Sequence, residues 1–187
     1  MSGETTRDRV MEAARLTVQD LGYGGLSFRE LAKAVGIKSA SIHYYFPTKG
    51  ALGEAIMRRY VEHYARYLEG ILEGGADRAT ALRRYTDVFR ETLLNGNRLC
   101  LAGMLSAERN ELPAEICAEI VRWGAMNEGW IARVLALPGT GDPADLRHRA
   151  AAVFAAVSGA QVIAHGRHDV ALYDDVVAAY RASGLIP

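Results

Sequence analysis

GGLSFRELAKAVGIKSASIHYYFPTKG, residues 24–50, decides the fold. Two glycines open it as a turn. Ser27, Phe28, Arg29 and Glu30 then have the form of a capping box, in which the serine hydroxyl accepts the Glu30 N–H and the glutamate reaches back. Leu26 and Leu31 stand at the positions of a hydrophobic staple. This helix is expected to stop near Ala34, where Gly36 allows a backbone that side chains oppose. Residues 38–45 predict a second short helix. Ile37, Ile42, Tyr45 and Phe46 are its inward anchors, and Ser39, Ala40, Ser41, His43 and Tyr44 face outward. Pro47 bars continuation through Phe46, and Thr48 caps a longer helix over about 49–73.

Outward from this stretch the pattern stays helical. On the N-terminal side, Thr5 and Asp8 resemble a capping pair, with the carboxylate near the positive end of the dipole. Val10, Ala13, Ala14, Thr17 and Leu21 give an apolar stripe, and Gly22 ends that helix. On the C-terminal side, helices are expected near 78–95, 98–109, 113–137, 143–166 and 170–183. Asn95, Gly96 and Asn97 form a break, and Pro113 suits a first helical turn. Residues 138–141 read as a loop, with Asp142 and Pro143 as cap and first helical residue. Asp169 caps the last helix and Gly184 closes it. No run alternates long enough for a strand. The fold class is all-α.

Composition narrows the function. The 187 residues carry no formal net charge, and half are apolar. Within residues 1–50, seven Lys and Arg face five acids, too small an excess to suggest nucleic acid by itself. The N-terminus lacks the apolar segment of a secretory signal, and the apolar run near 150–164 is short for a membrane span. Two cysteines, Cys100 and Cys117, make neither a disulfide framework nor a zinc motif. A reducing cytoplasm is the expected location. No nucleophile elbow, P-loop or dinucleotide fingerprint is present, and Glu108 and Glu111 are not arranged as an acid–base pair. The chain is expected not to be an enzyme and to need no cofactor. His165 and His168 straddle a helix end without an acidic companion, so no metal site is expected.

Two short helices around a glycine turn are the helix-turn-helix that seats one helix in the DNA major groove. An ordinary helical hairpin would also bury Tyr45 and Phe46. It accounts poorly for the small, polar outer face, where solvent-facing helices usually carry Glu and Lys. Short side chains at Ser39, Ala40 and Ser41 let the backbone approach base edges. Ser41 and His43 can bond bases or phosphates, and Tyr44 can bond a phosphate or pack on a thymine methyl. Lys38 and Lys49 bracket the helix as phosphate contacts, joined by Ser27 and Arg29 at a helix N-terminus.

From Gly22 to Leu52 the chain resembles the DNA-binding region of the TetR family of bacterial repressors. The likeness rests on Gly22 and Gly24, Leu31 and Ala32, Val35-Gly36-Ile37, the small-residue helix, Tyr45-Phe46 and Lys49. It covers about 50 residues, and beyond them only length and helical pattern agree. The resemblance implies a homodimer that binds an inverted-repeat operator on double-stranded DNA and is released by a small-molecule effector. It implies that Lys38 to Tyr44 read the groove and that Tyr45, Lys49 and Ser27 hold phosphates. His43 departs from the family's usual leucine or tyrosine, and Gly50 from its usual acid.

Residues 1–48 are thus expected to be the DNA-binding domain. Residues 49–187 are expected to bind ligand and dimerise, with helix 49–73 as connector. Residues 149–166 are apolar on almost every side and demand burial all round, most simply by a second copy through helices near 143–166 and 170–183. Leu172, Val176, Val177 and Tyr180 add a second apolar stripe. Trp123, Asn127 and Trp130 share one face of helix 113–137, an apolar lining with one amide handle. Tyr85, Phe89, Met104, Phe154 and Gln161 are expected to face them. Cys100 is either a small buried residue of this core or a thiol that senses electrophiles or oxidants, as in some members of the family. An alternative of another class is a helical small-molecule binding protein or enzyme without DNA binding.

Overall fold

The structure, a computed structural model, describes residues 5–137 and 143–187. Among these, all regular structure is helical. The order is α1 (Thr6–Leu21), α2 (Phe28–Val35), α3 (Ser39–Tyr45), α4 (Lys49–Glu73), α5 (Arg78–Leu94), α6 (Leu101–Ala107), α7 (Ala114–Leu135), α8 (Pro143–Arg167) and α9 (Val170–Ala182), with a single 3-10 turn at Arg109–Glu111. The expected loop at 138–141 and the Asp142 cap lie outside the described residues.

The chain folds as two compact units. One is Met1–Glu62 with Leu101–Arg122, and the other is His63–Cys100 with Trp123–Pro187. This partition differs from the functional division expected at 48/49, because α6 and the start of α7 join the unit that holds the helix-turn-helix.

In the first unit, α1, α2 and α3 pack together and α6 packs on α1. Thr5 and Asp8 form the capping box, the Thr5 hydroxyl accepting the Asp8 N–H at 3.1 Å. The buried stripe of α1 is Val10, Met11, Ala14 and Val18. Leu21, expected inside, is 68% exposed at the C-terminal end of α1. Gly22 and Gly36 both take positive φ, at 75° each, as helix ends that strongly favour glycine. The capping box expected at Ser27 does not form, since its hydroxyl makes no cap bond. Its backbone carbonyl accepts the Leu31 N–H instead, and α2 is held by burial of Leu31, Ala32 and Val35. Thr48 does cap α4, its hydroxyl accepting the Ala51 N–H at 3.0 Å.

In the second unit, α5, α8 and α9 pack on one another. Asp77 and Asp169 cap α5 and α9. The break after α5 runs through Gly96 and Asn97, both at positive φ. It delays α6 to Leu101, not the expected 98, and just before that start the Cys100 N–H donates to the Gln161 side chain at 3.2 Å. Burial of α8 is one-sided within the chain. Ala150, Val153, Val157, Ala160 and Ala164 are buried, while Val162 and Ile163 are each 51% exposed beside exposed Ala152 and Ala155. The demand for burial all round is therefore unmet by a single copy.

Candidate functional site

Helix α3 is seven residues long and held by two side chains. Ile42 and Phe46 are buried, at 0% and 2% exposure, and Ile37 and Tyr45 are half-buried. Everything else follows from helical geometry. With Ile42 fixed inward, Lys38, Ala40, His43 and Tyr44 point out, and Ser39 and Ser41 lie half-buried at the edges. Tyr44 is 83% exposed. Its ring meets Tyr45 edge-on at 5.2 Å, and the His43 ring meets Phe28 of α2 edge-on at 4.8 Å. These contacts orient the rings without covering them.

The flanking cations divide into two kinds. The Arg29 side chain is 89% exposed and pairs with Glu30 at 3.1 Å, an exposed ion pair that holds it weakly. Lys49 is placed instead. Its ammonium lies 4.3 Å from the centre of the Tyr23 ring and donates to the Gly24 carbonyl at 3.4 Å. Ser27 is half-buried at the N-terminus of α2. The expected contact residues Ser27, Arg29, Lys38, Ser39, Ala40, Ser41, His43, Tyr44, Tyr45 and Lys49 thus all lie on the helix-turn-helix or the first residue of the helix after it. The surface offers hydroxyls, an imidazole and cations, with no acid on α3 itself. That chemistry suits a polyanion presenting donors and acceptors on base edges.

Sequence reading missed Glu108 and Tyr23. Glu108 accepts the Tyr23 N–H at 2.6 Å, across 85 positions of sequence, a link that leaves no local pattern. Gly50, the departure from the family's usual acid, has a structural reason. A β-carbon there would stand 3.1 Å from a Glu115 carboxylate oxygen and 3.3 Å from Pro113. An acidic side chain would face a second carboxylate. Burial and the charge of Glu115 raise the Tyr23 hydroxyl above its ordinary pKa.

The aromatic face expected on α7 exists, and it is closed. Trp123 and Trp130 are each 3% exposed and Asn127 is fully buried. Trp130 stacks on Tyr85 at 5.6 Å and 22°, Tyr85 meets Phe89 at 5.3 Å, and Trp123 meets Tyr64 edge-on at 4.9 Å. Each polar atom of the set has a protein partner. The Tyr85 hydroxyl donates to Asn127 Oδ1 at 3.0 Å, Asn127 Nδ2 donates to the Trp123 carbonyl at 2.8 Å, and Trp130 Nε1 donates to the Leu68 carbonyl at 2.8 Å. Gln161 donates to the Phe89 carbonyl at 3.0 Å and accepts the Cys100 N–H. Burial drives the Tyr85 hydroxyl well above its ordinary pKa, so it stays a neutral donor. Cys100 belongs to this core at 6% exposure. Phe154 is half-buried on α8, and Met104 is half-buried on α6 in the other unit.

His165 and His168 are tied to the break after α5. His165 Nδ1 pairs with the Asn97 carbonyl at 2.7 Å, and the Asn97 amide nitrogen contacts His168 Nδ1 at 2.8 Å. Among the described residues no group of three metal-ligating side chains occurs, and no helix is long and apolar enough to cross a membrane.

Residues 10–56 match the family model described as bacterial regulatory proteins, tetR family. Over 65 residues the chain is 37% identical to "Probable HTH-type transcriptional regulator YttP" of Bacillus subtilis, a match over 35% of this chain and 31% of that one. The chain thus spans about a third of that relative's length. A TetR transcriptional regulator from Legionella pneumophila, solved by crystallography, superimposes with a TM-score of 0.91 at 26% identity, over 98% of this chain and 99% of that one. The regulator FadR of Bacillus subtilis, solved with stearoyl-CoA, has the same fold, with a TM-score of 0.65 at 17% identity over 95% and 96% of the two chains. The match falls on the helix-turn-helix just described, so residues 10–56 carry the DNA-binding region of the tetR family of bacterial regulatory proteins, and the likeness in fold extends over the helical remainder.

Proposed function

We propose that this protein is a homodimeric, DNA-binding transcriptional regulator, a repressor that leaves an inverted-repeat operator when a small molecule enters its C-terminal helices. The observation that carries the reading is the surface of α3. Four side chains, Lys38, Ala40, His43 and Tyr44, stand outward on a helix anchored by buried Ile42 and Phe46. Two copies related by a two-fold axis would present two such helices to successive major grooves, about 34 Å apart. The exposed apolar face of α8 with Val162 and Ile163 supports pairing, since such a face is costly in water. A role on DNA puts the protein in the cytoplasm.

Support for an effector site comes from FadR, a neighbour in fold that was solved with stearoyl-CoA; in this chain a ligand would have to open the closed aromatic set of α7. The effector must bind the DNA-incompetent conformation better, or it shifts nothing. Cys100 takes no part in this reading, because its buried thiol is screened from attack.

The test is selection of duplexes from a random-sequence pool by the full chain. The expected product is a pair of inverted half-sites. Absence of enrichment, with ligand binding retained, would favour a helical binding protein without a DNA role. In the recovered duplex, Lys49→Ala should weaken binding and reduce the salt slope by about one phosphate's worth.

A further inference from the structure

We infer that Glu108 is a positioning residue for DNA binding: by gripping the turn after α1 it fixes Tyr23, and through Tyr23 it sets where the Lys49 ammonium stands. This rests on the DNA-binding reading above and adds to it a residue far outside the helix-turn-helix.

The geometry forms one chain of contacts within the first unit. Glu108 follows α6 directly, and its carboxylate accepts the Tyr23 N–H at 2.6 Å. Such a charge-assisted bond to a backbone donor at a helix end is among the stronger ones available. The approach is so close that a β-carbon on Gly22 would stand 2.1 Å from Glu108 Oε1. Gly22 is favoured by its φ of 75°, and a β-carbon there would also displace the carboxylate seated against it. With its backbone held, Tyr23 turns its ring under the Lys49 ammonium at 4.3 Å, where a cation is attracted to the aromatic face. Lys49 closes the ring of contacts on the Gly24 carbonyl.

The same ring lies beside Gly53 of α4. The start of α7 lies against the start of α4 at two glycines. A β-carbon on Gly53 would stand 2.4 Å from Ile116 Cδ1 and 3.1 Å from Tyr23 Cε2, and one on Gly50 would meet Glu115 and Pro113. Tyr23 is thus held by Glu108 at its backbone and faces Lys49 across its ring, with Gly53 alongside. The stretch Leu101–Arg122 supplies Glu108 and Ile116, and the chain continues from it directly into the second unit at Cys100 and at Trp123.

The test uses the full chain and a duplex that the wild-type protein recovers from a random pool. Glu108→Ala should weaken binding about tenfold and flatten its salt dependence, as loss of a charge-assisted bond on this path would. Glu108→Gln keeps an acceptor and should stay within about threefold of wild type. The decisive measurement is a double-mutant cycle. In a Lys49→Ala background, Glu108→Ala should cost less than about twofold, while in an Arg29→Ala background it should keep its full effect. Circular dichroism at the titration temperature confirms that each variant is folded. Equal losses in both backgrounds, or unchanged affinity for Glu108→Ala, would overturn the inference and leave the DNA reading standing. Failure of the wild-type chain to recover any duplex would overturn both.

Discussion

Helices α3 and α7 both present aromatic side chains, and they treat them in opposite ways. On α3, Tyr44 is 83% exposed and its neighbours offer hydroxyl, imidazole and amine groups to the outside. On α7, Trp123 and Trp130 are 3% exposed, and the polar atoms around them are bonded to the protein. The first surface stands open to solvent. The second is complete already, so a ligand entering there must replace contacts the protein makes with itself. The difference lies in spacing: α3 buries only Ile42 among its seven residues, with Phe46 just past its end, whereas the Trp123, Asn127, Trp130 series returns to the same face at every turn.

Substitutions can break or sharpen this contrast. The largest effect is expected from Trp130→Ala, which opens a cavity beside Tyr85 and leaves the Leu68 carbonyl without its donor. It should cost about 3–5 kcal/mol in urea unfolding. An unchanged midpoint would mean the core is not closed as described. Tyr85→Phe removes one hydroxyl and takes the hydrogen bond from Asn127 Oδ1. A loss of about 1–3 kcal/mol is expected, and a neutral result would mean that another group or water reaches the amide. Tyr44→Ala should do the reverse of both. Stability should stay within about 0.5 kcal/mol, as for other exposed sites, while affinity for the selected duplex falls. Retained affinity would remove Tyr44 from the groove-reading set.

The smallest effect concerns acid. The hydrogen bonds with Thr5 hold Asp8 below its ordinary pKa of 3.8, and the Arg15 hydrogen bond holds Glu12 below 4.5. A carboxyl whose folded pKa is lowered stabilises the fold above its unfolded value and loses that contribution as pH falls through the folded one. Melting temperature should therefore hold down to about pH 5 and decline below about pH 4. Thr5→Ala should shrink that decline, and an equal decline without Thr5 would assign it to other carboxyls.

Local rules made much of this fold readable. Thr5 with Asp8, Gly22, Gly36, Thr48 and Asp169 each act within four residues, and each appears where the pattern put it. The failures lie where distant parts of the chain meet. At Ser27 the hydroxyl makes no cap bond, and α2 forms all the same with Leu31 buried. The helix expected from residue 98 starts at Leu101, after the Cys100 N–H has bonded Gln161 from 61 positions away. Glu108 could not be read at all, since its partner is 85 positions distant and nothing in its neighbourhood changes with that role. The outward face of α3 was legible because exposure on a seven-residue helix follows from its period. The aromatic set was legible as a face, but its closure depends on Tyr64 and Leu68 of α4 and Tyr85 of α5, which no local pattern places against it.

Both tryptophans of the chain lie on α7 in the second unit. Intrinsic indole fluorescence is therefore a site-specific optical probe that needs no label. A small molecule that separates Trp130 from Tyr85 would shift the emission to the red as solvent reaches the ring, while the helix-turn-helix contributes no indole signal of its own. Screening candidate effectors becomes a matter of watching one spectrum.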